Sequence, residues 1–201
     1  MHFAKDSIVI LKMKSFKFKG FILGSREWRE KDKLITIFTH DQGKIKVLAK
    51  GVRNLKSKRA GSLSTGTYIK AICFKRQEDS LPILGDLEVM SQYLYKENNL
   101  RLITTILYLS EITDNLTPEN QPEPKLFILF KKTLTEVFVY NKFDSITKYS
   151  VELPYLLGFG MNEKAKQLFM CRKVRKAQEE AERFICSISD KKIRSLSIMR
   201  T

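Results

Sequence analysis

The sequence predicts an α+β protein in which an N-terminal β-barrel is followed by an all-helical domain. About five short segments rich in branched and aromatic residues, separated by turn signals, occupy the first ninety residues, which is typical of a small barrel. From about residue 96 onward, apolar residues recur at helical spacing instead. The 201 residues, 43% of them hydrophobic, suffice for two small domains, and the change of pattern places these at 14–92 and 93–201.

The strand segments begin with "FKFKGFIL" at 16–23. "KLITIFTHDQGKIKVLAKG" then predicts a hairpin, with strands over 34–39 and 44–50 and a turn at 40–43. "GTYIKAICFKRQ" and "LPILGDLEVMSQY" supply the last two strands. Within the strand over 44–50, alternation puts Ile45, Val47 and Ala49 on one face. The opposite face carries Lys44, Lys46, Leu48 and Lys50.

The helical part begins with "NNLRLITTILYLSEITDNL", where apolar residues recur every three or four positions. "TPENQPEP" predicts a loop, and Pro124 suits the first turn of a helix that runs to about Tyr140. A further helix is predicted over 143–157, ending at "GFG". Asn162 is then expected to cap a single last helix, whose apolar stripe extends from Ala165 to Ile185.

Charge is distributed unevenly along the chain, whose formal net charge is +15. Residues 1–90 hold 19 Lys and Arg against 9 Asp and Glu, a net of +10, whereas 91–160 hold 7 against 8. Residues 161–201 are basic again, with 11 against 5. A basic first unit beside a neutral middle is the electrostatic pattern of a nucleic-acid binder. A general enrichment in lysine does not explain the pattern, because it would also make residues 91–160 basic.

The most basic stretch is "AKGVRNLKSKRAG", residues 49–61, which has five positive charges within ten residues and no acid. Its glycines let a backbone approach phosphates closely, and a small barrel with a basic rim suits single-stranded nucleic acid. The predicted DNA-contacting residues are Lys33, Lys44, Lys46, Lys50, Arg53, Lys56, Lys58 and Arg59. The candidates for base stacking are Trp28, Tyr68 and Phe74. The alternatives are a merely solvated loop for the charges and a place in the barrel core for the aromatics.

The sequence contains few candidates for catalytic or metal-binding residues. His40 lies beside Asp41 in the predicted hairpin turn, where polar residues are common, so we expect no catalytic role. The carboxylates of "EWREKDK" alternate with basic residues, which is typical of a salt-bridged surface rather than a metal site. We therefore expect a protein that is not an enzyme and holds no cofactor.

Cysteines and apolar runs indicate the compartment. Cys73, Cys171 and Cys186 form no CxxC pair, so we expect reduced thiols in a cytoplasmic protein. No apolar run approaches 18 residues, and the N-terminal segment lacks the features of a signal peptide, so no membrane contact is expected.

The segment "GFILGSREWREKDKLITIFTHDQGKIKVLAKGVRNLKSKRAGSL" resembles the N-terminal domain of the RecO family of DNA-repair and recombination mediators. The family pattern E-x-D-[RK]-L, F-T, H-x-x-G-K, A-K-G-x-R and S-[KR] is carried here by Glu30, Asp32, Lys33, Leu34, Phe38, Thr39, His40, Gly43, Lys44, Ala49, Lys50, Gly51, Arg53, Ser57 and Lys58. "PILGDLEVMSQY", "LYLSEITDNLTPENQPEPKLFILF" and "VELPYLLGFG" also fit the family's last strand, first helices and helical core.

The resemblance implies an OB-fold followed by a helical domain, binding to single- and double-stranded DNA, and annealing of complementary strands. It also implies cooperation with RecR, and with the acidic tail of single-strand-binding protein, to load RecA, in a cytoplasmic, nucleoid-associated protein. Many members carry a four-cysteine zinc module after the segment matching "LLGFG". Here only Cys171 and Cys186 occur there, so we expect no zinc.

Protein partners are expected on the helical domain, because an acidic tail with apolar end residues suits a groove beside basic side chains. Such side chains are Lys164, Lys166, Arg172, Lys173, Arg175 and Lys176. Two other functions stay open on the residues alone. An RNA-binding OB-fold protein of the translation apparatus would share the barrel and the charge but prefer RNA, and a pure interaction scaffold would bind neither nucleic acid.

Overall fold

The computed structural model of the protein describes residues 14–53, 61–77, 79–94 and 99–196. The strands are β1 (Lys14–Trp28), β2 (Asp32–Thr39), β3 (Gly43–Ala49), β4 (Tyr68–Lys75) and β5 (Ile83–Ser91). The helices are α1 (Leu100–Leu116), α2 (Pro124–Tyr140), α3 (Asp144–Leu156), α4 (Glu163–Met170) and α5 (Val174–Ile188). A short 3-10 turn, Gly61–Leu63, precedes β4. The predicted α+β class, strands first and helices after, is confirmed.

The strands close into a barrel in the order β1-β2-β3-β5-β4. Neighbours are antiparallel except β3 and β5, which meet in parallel where Leu48 lies opposite Ile83. Five strands in this Greek-key order form the OB-fold, as predicted. Alternate residues point inward and fill the barrel with branched side chains, among them Ile35, Ile37 and Val47.

Strand β1 is longer than the predicted 16–23, because it serves two neighbours in turn. Residues 14–21 pair with β4, and residues 20–28 pair with β2. A register shift between Ile22 and Gly24 bends the strand between the two pairings. Strand β1 therefore extends from one end of the barrel to a hairpin at the other.

A shared hydrophobic core joins the barrel to the helices. Phe21 and Phe38 point outward from β1 and β2 and pack against Phe127 and Phe130 of α2. Ring centroids in this cluster lie 5.3 Å apart for Phe21 and Phe130 and 5.6 Å apart for Phe38 and Phe127. Helix α2 is thus fixed on the outer surface of the sheet.

Two glycines allow the close approach of helical segments to the barrel. Gly43 has φ +70°, and a Cβ there would lie 1.9 Å from the carbonyl oxygen of Gln121. Gly66 has φ +81°, and a Cβ there would lie 1.8 Å from Cδ1 of Ile106. The N–H of Asn120 also donates to the Lys44 carbonyl over 2.8 Å. The connection between α1 and α2 therefore lies directly on the start of β3.

The prediction of a single last helix is wrong, because α4 and α5 are separate helices. Asn162 caps α4 as expected, its side chain accepting from the Ala165 N–H over 3.0 Å. The chain then turns at Arg172, whose φ is +57°, and α5 packs back on α4 and α3. Ala165 and Ala181 are both buried beside Val151, so the apolar stripe is shared between two helices that cover one site on α3.

Candidate nucleic-acid interface

Part of the predicted DNA-contacting set meets at one end of the barrel, where the β1–β2 turn lies beside the end of β3. We call Arg26–Lys33 and Lys50–Arg53 the barrel tip. The strand register puts Lys33 opposite Ala49, so it lies next to the start of the basic loop. The Gly51 N–H donates to Oδ1 of Asp32 over 2.8 Å, and the Arg53 N–H donates to the Lys31 carbonyl over 3.1 Å. These bonds fix the beginning of the loop against the turn.

The barrel tip is basic, with six Lys and Arg against three Asp and Glu. Arg53 is exposed, and its Nη2 lies 2.9 Å from the Glu27 carboxylate, while its Nη1 donates to the Arg29 carbonyl over 3.3 Å. Two of the acids therefore position the loop, Glu27 through Arg53 and Asp32 through Gly51. The predicted salt-bridged surface of "EWREKDK" is thus also the support of the basic loop.

Trp28 lies at the end of β1, half-buried and outside the barrel core. The guanidinium carbon of Arg26 is 5.5 Å from the centroid of its ring, a cation–π distance. Arg26 and Arg29 were missing from the predicted set. The signal that could have found them is their place beside Trp28 in a strand–turn–strand segment. Stacking of a base on Trp28 stays a prediction.

Lys44 and Lys46 are both occupied by contacts with the helical part. The Lys44 side chain is only 7% exposed, and its Nζ lies 3.1 Å from Oδ1 of Asp114 and also donates to the Asp114 carbonyl. Lys46 pairs with the Glu119 carboxylate and remains 37% exposed. The strand alternation was predicted well, but α1 and the α1–α2 connection contact the start of this face through Asp114 and Glu119. The burial of this ammonium against Asp114 argues against a contact between Lys44 and DNA, and the predicted contact stays a prediction.

Of the remaining predicted residues, the aromatic residues Tyr68 and Phe74 lie on β4. Lys56, Lys58 and Arg59 lie outside the described residues and stay predictions. Tyr68 lies far from the tip and opposite Phe21 in the strand register. The ring centroids of Tyr68 and Phe21 are 4.5 Å apart. Burial raises the pKa of the Tyr68 hydroxyl above its ordinary value. Phe74 is half-buried on the outer surface, where a Cβ on Gly85 would lie 2.5 Å from its Cε2.

A second basic surface, absent from the predicted set, surrounds Tyr68. We call the outward-pointing residues Lys17, Lys19, Tyr68, Lys70, Ile72 and Phe74 the β1–β4 face. Between this face and α2 lies a groove of about 910 Å³, with Tyr68, Phe127, Ile128 and Tyr140 along it and Lys131 and Lys132 on the helix side. The alternation of Lys17 with Phe16 and Phe18 in the sequence indicated a strand but not which face it would leave exposed.

Three further features of the described part of the chain concern metal-ligating clusters, histidine reactivity and membrane-spanning helices. Within those residues, no three His, Cys, Asp or Glu side chains come close enough to hold a metal ion. The His40 ring meets the Asp41 carboxylate at 2.5 Å and lies edge-on to Phe127, with centroids 5.6 Å apart. None of the described helices has the length and apolar character needed to cross a bilayer.

Comparison with known proteins gives two family matches that together cover most of the chain. The family described as Recombination protein O N terminal matches residues 13–93, and the family described as Recombination protein O C terminal matches residues 97–163. The first spans all five strands of the barrel, and the second spans α1 to α3.

Curated relatives named DNA repair protein RecO match the same part of the chain. The protein of Prosthecochloris aestuarii is 32% identical over 121 residues, which cover 60% of this chain and 46% of that protein. The protein of Desulfitobacterium hafniense strain DSM 10664 / DCB-2 is 28% identical over 143 residues, covering 70% and 50%. The chain thus spans about half the length of these relatives. Among solved structures, the S. pombe Stn1–Ten1 complex matches with 15% identity and a TM-score of 0.31, over 48% of this chain and 76% of that one, too weakly to carry an argument.

Proposed function

Because this chain belongs to the RecO family, we propose that it is a DNA repair and recombination mediator that binds single- and double-stranded DNA and anneals complementary strands. The observation that supports this most directly is the barrel tip, which carries six basic residues and the half-buried Trp28 at the end of an OB-fold. A basic groove with an aromatic surface is the usual means of holding a single strand without sequence preference.

Annealing follows from backbone contacts made by these side chains. Two DNA strands repel each other through their phosphates, and a surface with a net charge of +10 in its first ninety residues can neutralise both. Counterion release drives such binding, so the affinity falls steeply with salt concentration. Contacts to phosphates leave the base edges free to pair with a complementary strand. The proposed contacts at the tip are Lys33, Lys50 and Arg53, with Lys46 on the adjacent strand.

The proposal extends to the mediator's partners. We propose that the helical domain contacts RecR and the acidic tail of single-strand-binding protein, so that RecA is loaded indirectly, in the cytoplasm and with the nucleoid. Exposed basic side chains on α5 and just before it, such as Lys173 and Lys176, support this assignment. Others are already paired, Lys164 with Glu180 at 2.7 Å and Arg175 with Glu179 at 3.3 Å. Binding and annealing involve no chemical step, so no catalytic group or cofactor is proposed.

The test is annealing of two complementary fluorescent oligonucleotides that are coated with single-strand-binding protein. We expect the chain to accelerate annealing at low salt and to lose this effect as salt rises. An RNA-binding protein of the translation apparatus would instead prefer RNA when RNA and DNA oligonucleotides compete directly. DNA binding without any acceleration would contradict the annealing proposal, and absence of DNA binding would contradict the proposal as a whole.

A further inference from the structure

We propose that the β1–β4 face is a second site for single-stranded DNA, separate from the barrel tip, so that one copy of the chain holds two strands at once. This inference rests on the proposed function, since it assumes that the tip binds one strand. It assigns a role to basic residues that neither the sequence pattern nor the tip accounts for.

Alternation along two neighbouring strands builds the β1–β4 face. Phe18, Ile69 and Ala71 point into the barrel, so Lys17, Lys19 and Lys70 point outward, and all three are exposed. On β4 the lysine stands between apolar and aromatic side chains, in the outward order Tyr68, Lys70, Ile72 and Phe74. Phe74 and Ile72 lie over Gly85 of β5, where a Cβ would meet Cε2 of Phe74 at 2.5 Å and Cγ2 of Ile72 at 3.1 Å. Positive charges thus alternate with surfaces on which bases can stack.

The facing positive charges on the β1–β4 face lower the stability of the folded protein. Lys19 lies directly opposite Lys70 in the antiparallel register, and like charges in that position destabilise a sheet. Glu88 offsets part of the repulsion, its carboxylate lying 3.8 Å from Nζ of Lys70 with both side chains exposed. A bound phosphate backbone would relieve the repulsion that remains, because it places negative charge between the two lysines.

Helix α2 adds further basic and apolar side chains beside the β1–β4 face, along the groove between them. Nζ of Lys131 lies 5.1 Å from the centroid of the Tyr68 ring. The residues lining the groove include five lysines but only two acids, Asp41 and Glu136, and Glu136 accepts from Ser145 and lies 3.9 Å from Lys132. Ile128 and Tyr140 are 59% and 61% exposed, which leaves apolar surface open along the helix side.

The extent of the surface favours an extended strand over a short acidic peptide. A peptide with an apolar end would fill the groove, but the outward side chains continue beyond it along β4 to Ile72 and Phe74, which do not line the groove. The face is also distinct from the tip, since Trp28 lies seven residues beyond Phe21 on β1, about 20 Å at the usual rise per residue. Two strands on these surfaces would be neighbours without competing for the same side chains.

The experiment measures energy transfer between two non-complementary oligonucleotides, one carrying a donor and one an acceptor, bound to the full chain. Mass photometry identifies the complexes that contain one copy of the chain. We expect transfer in such complexes for the wild type. The variant Lys17→Gln/Lys19→Gln/Lys70→Gln should still bind one oligonucleotide but lose the transfer at least tenfold. The control Arg183→Gln/Lys191→Gln/Lys192→Gln removes the same charge from exposed positions of the helical domain and should behave as wild type.

Each outcome decides between the proposals. Transfer that persists in the β1–β4 variant, or that occurs only in complexes with two copies of the chain, would overturn the second site. A wild type that binds one oligonucleotide but never two would overturn it as well, while leaving the proposed function intact. A wild type that binds no DNA would refute the proposed function itself. If the variant keeps the transfer but no longer binds a fluorescent acidic peptide with apolar end residues, the groove is a peptide site instead.

Discussion

The ammonium of Lys44 lies 3.1 Å from the carboxylate of Asp114, across the junction between the OB-fold and the first helix. The lysine is 7% exposed and the aspartate 34%, so the pair is shielded on one side only. Lys44 Nζ also donates to the Asp114 carbonyl, and the Lys44 carbonyl accepts from the Asn120 N–H. This residue therefore connects the two parts of the molecule through both its side chain and its backbone.

Replacing Lys44 should affect stability rather than DNA binding. Lys44→Ala leaves Asp114 without its partner and removes a buried charged hydrogen bond, so we expect the free energy of unfolding to fall by about 2 kcal/mol. Urea unfolding measures the loss, and fluorescence anisotropy measures the affinity for a labelled oligonucleotide. The control is Lys46→Ala, whose half-exposed pair with Glu119 should contribute less than about 1 kcal/mol. A large loss of affinity with unchanged stability would show that Lys44 contacts DNA after all.

Removing the charges of the basic loop should weaken DNA binding and its salt dependence together. The variant Lys50→Ala/Arg53→Ala/Lys58→Ala/Arg59→Ala loses four potential phosphate contacts, so the slope of log affinity against log salt should become shallower by up to about 3 for a single strand. Titrations at several salt concentrations measure it. A helical-domain variant with Ala at Lys148, Lys173, Lys176 and Lys191 loses the same charge and should keep the slope. Wild-type affinity and slope in the loop variant would exclude these residues.

Glycine 66 should be intolerant of any side chain. At φ +81° an L-residue is strained, and the added Cβ would overlap Cδ1 of the fully buried Ile106. We therefore expect Gly66→Ala to lower the free energy of unfolding by at least about 2 kcal/mol. The control is Gly61→Ala, where the Cβ would meet nothing within 4 Å, and this change should be close to neutral. Equal thermal stability of the two variants would contradict the close packing of α1 on this turn.

The three thiols should differ in reactivity. Burial raises the pKa of Cys73 to about 12, whereas Cys171 and Cys186 are exposed. At pH 8 a chromogenic disulfide reagent should therefore label two thiols quickly and the third only after unfolding, because the thiolate is the nucleophile. Rapid labelling of all three in the native protein would contradict the burial of Cys73 in the barrel.

The raised pKa of Cys73 should make the protein less stable as the pH rises above 9. The native state favours the protonated Cys73 thiol, so its contribution is fully present below the ordinary pKa of 9.0 and is lost as pH rises toward 12. We expect Cys73→Ser or Cys73→Ala, compared with the wild type, to flatten the decline in the free energy of unfolding between pH 9 and pH 11. An unchanged decline in both variants would assign it to other groups.

The facing lysines of the β1–β4 face should cost stability. Lys19→Glu replaces a like-charge pair with an opposite-charge pair opposite Lys70, so the free energy of unfolding should rise by about 0.2–1 kcal/mol at low salt. The gain should shrink in high salt because both side chains are exposed. Thermal unfolding at two salt concentrations checks this. A loss of stability would mean that Lys19 contributes favourable contacts to the native state.

Much of this protein follows from local pattern in the sequence. Alternation predicted the barrel strands and the inward set of Ile45, Val47 and Ala49, and cap and turn residues such as Asn162 and Pro124 marked where helices begin. These signals are local, because a strand or a capped turn depends on neighbours a few residues away. The excess of basic residues in the first unit and the resemblance of residues 20–63 to the RecO family were likewise visible in the chain itself.

Only the tertiary structure shows which residues on the predicted solvent-facing sides of strands are in fact exposed. Lys44 and Lys46 alternate correctly on β3, yet both pair with carboxylates of α1 and of the α1–α2 connection. Gly43 permits this contact, because it lets the Gln121 backbone approach closely. Strand β1 pairs with β4 at one end and with β2 at the other, so Tyr68 and Trp28 lie on two different surfaces. The left-handed turn at Arg172 divides the last apolar stripe between two helices. Each of these outcomes depends on contacts between residues distant in sequence, and periodicity along one segment contains no information about what packs against it.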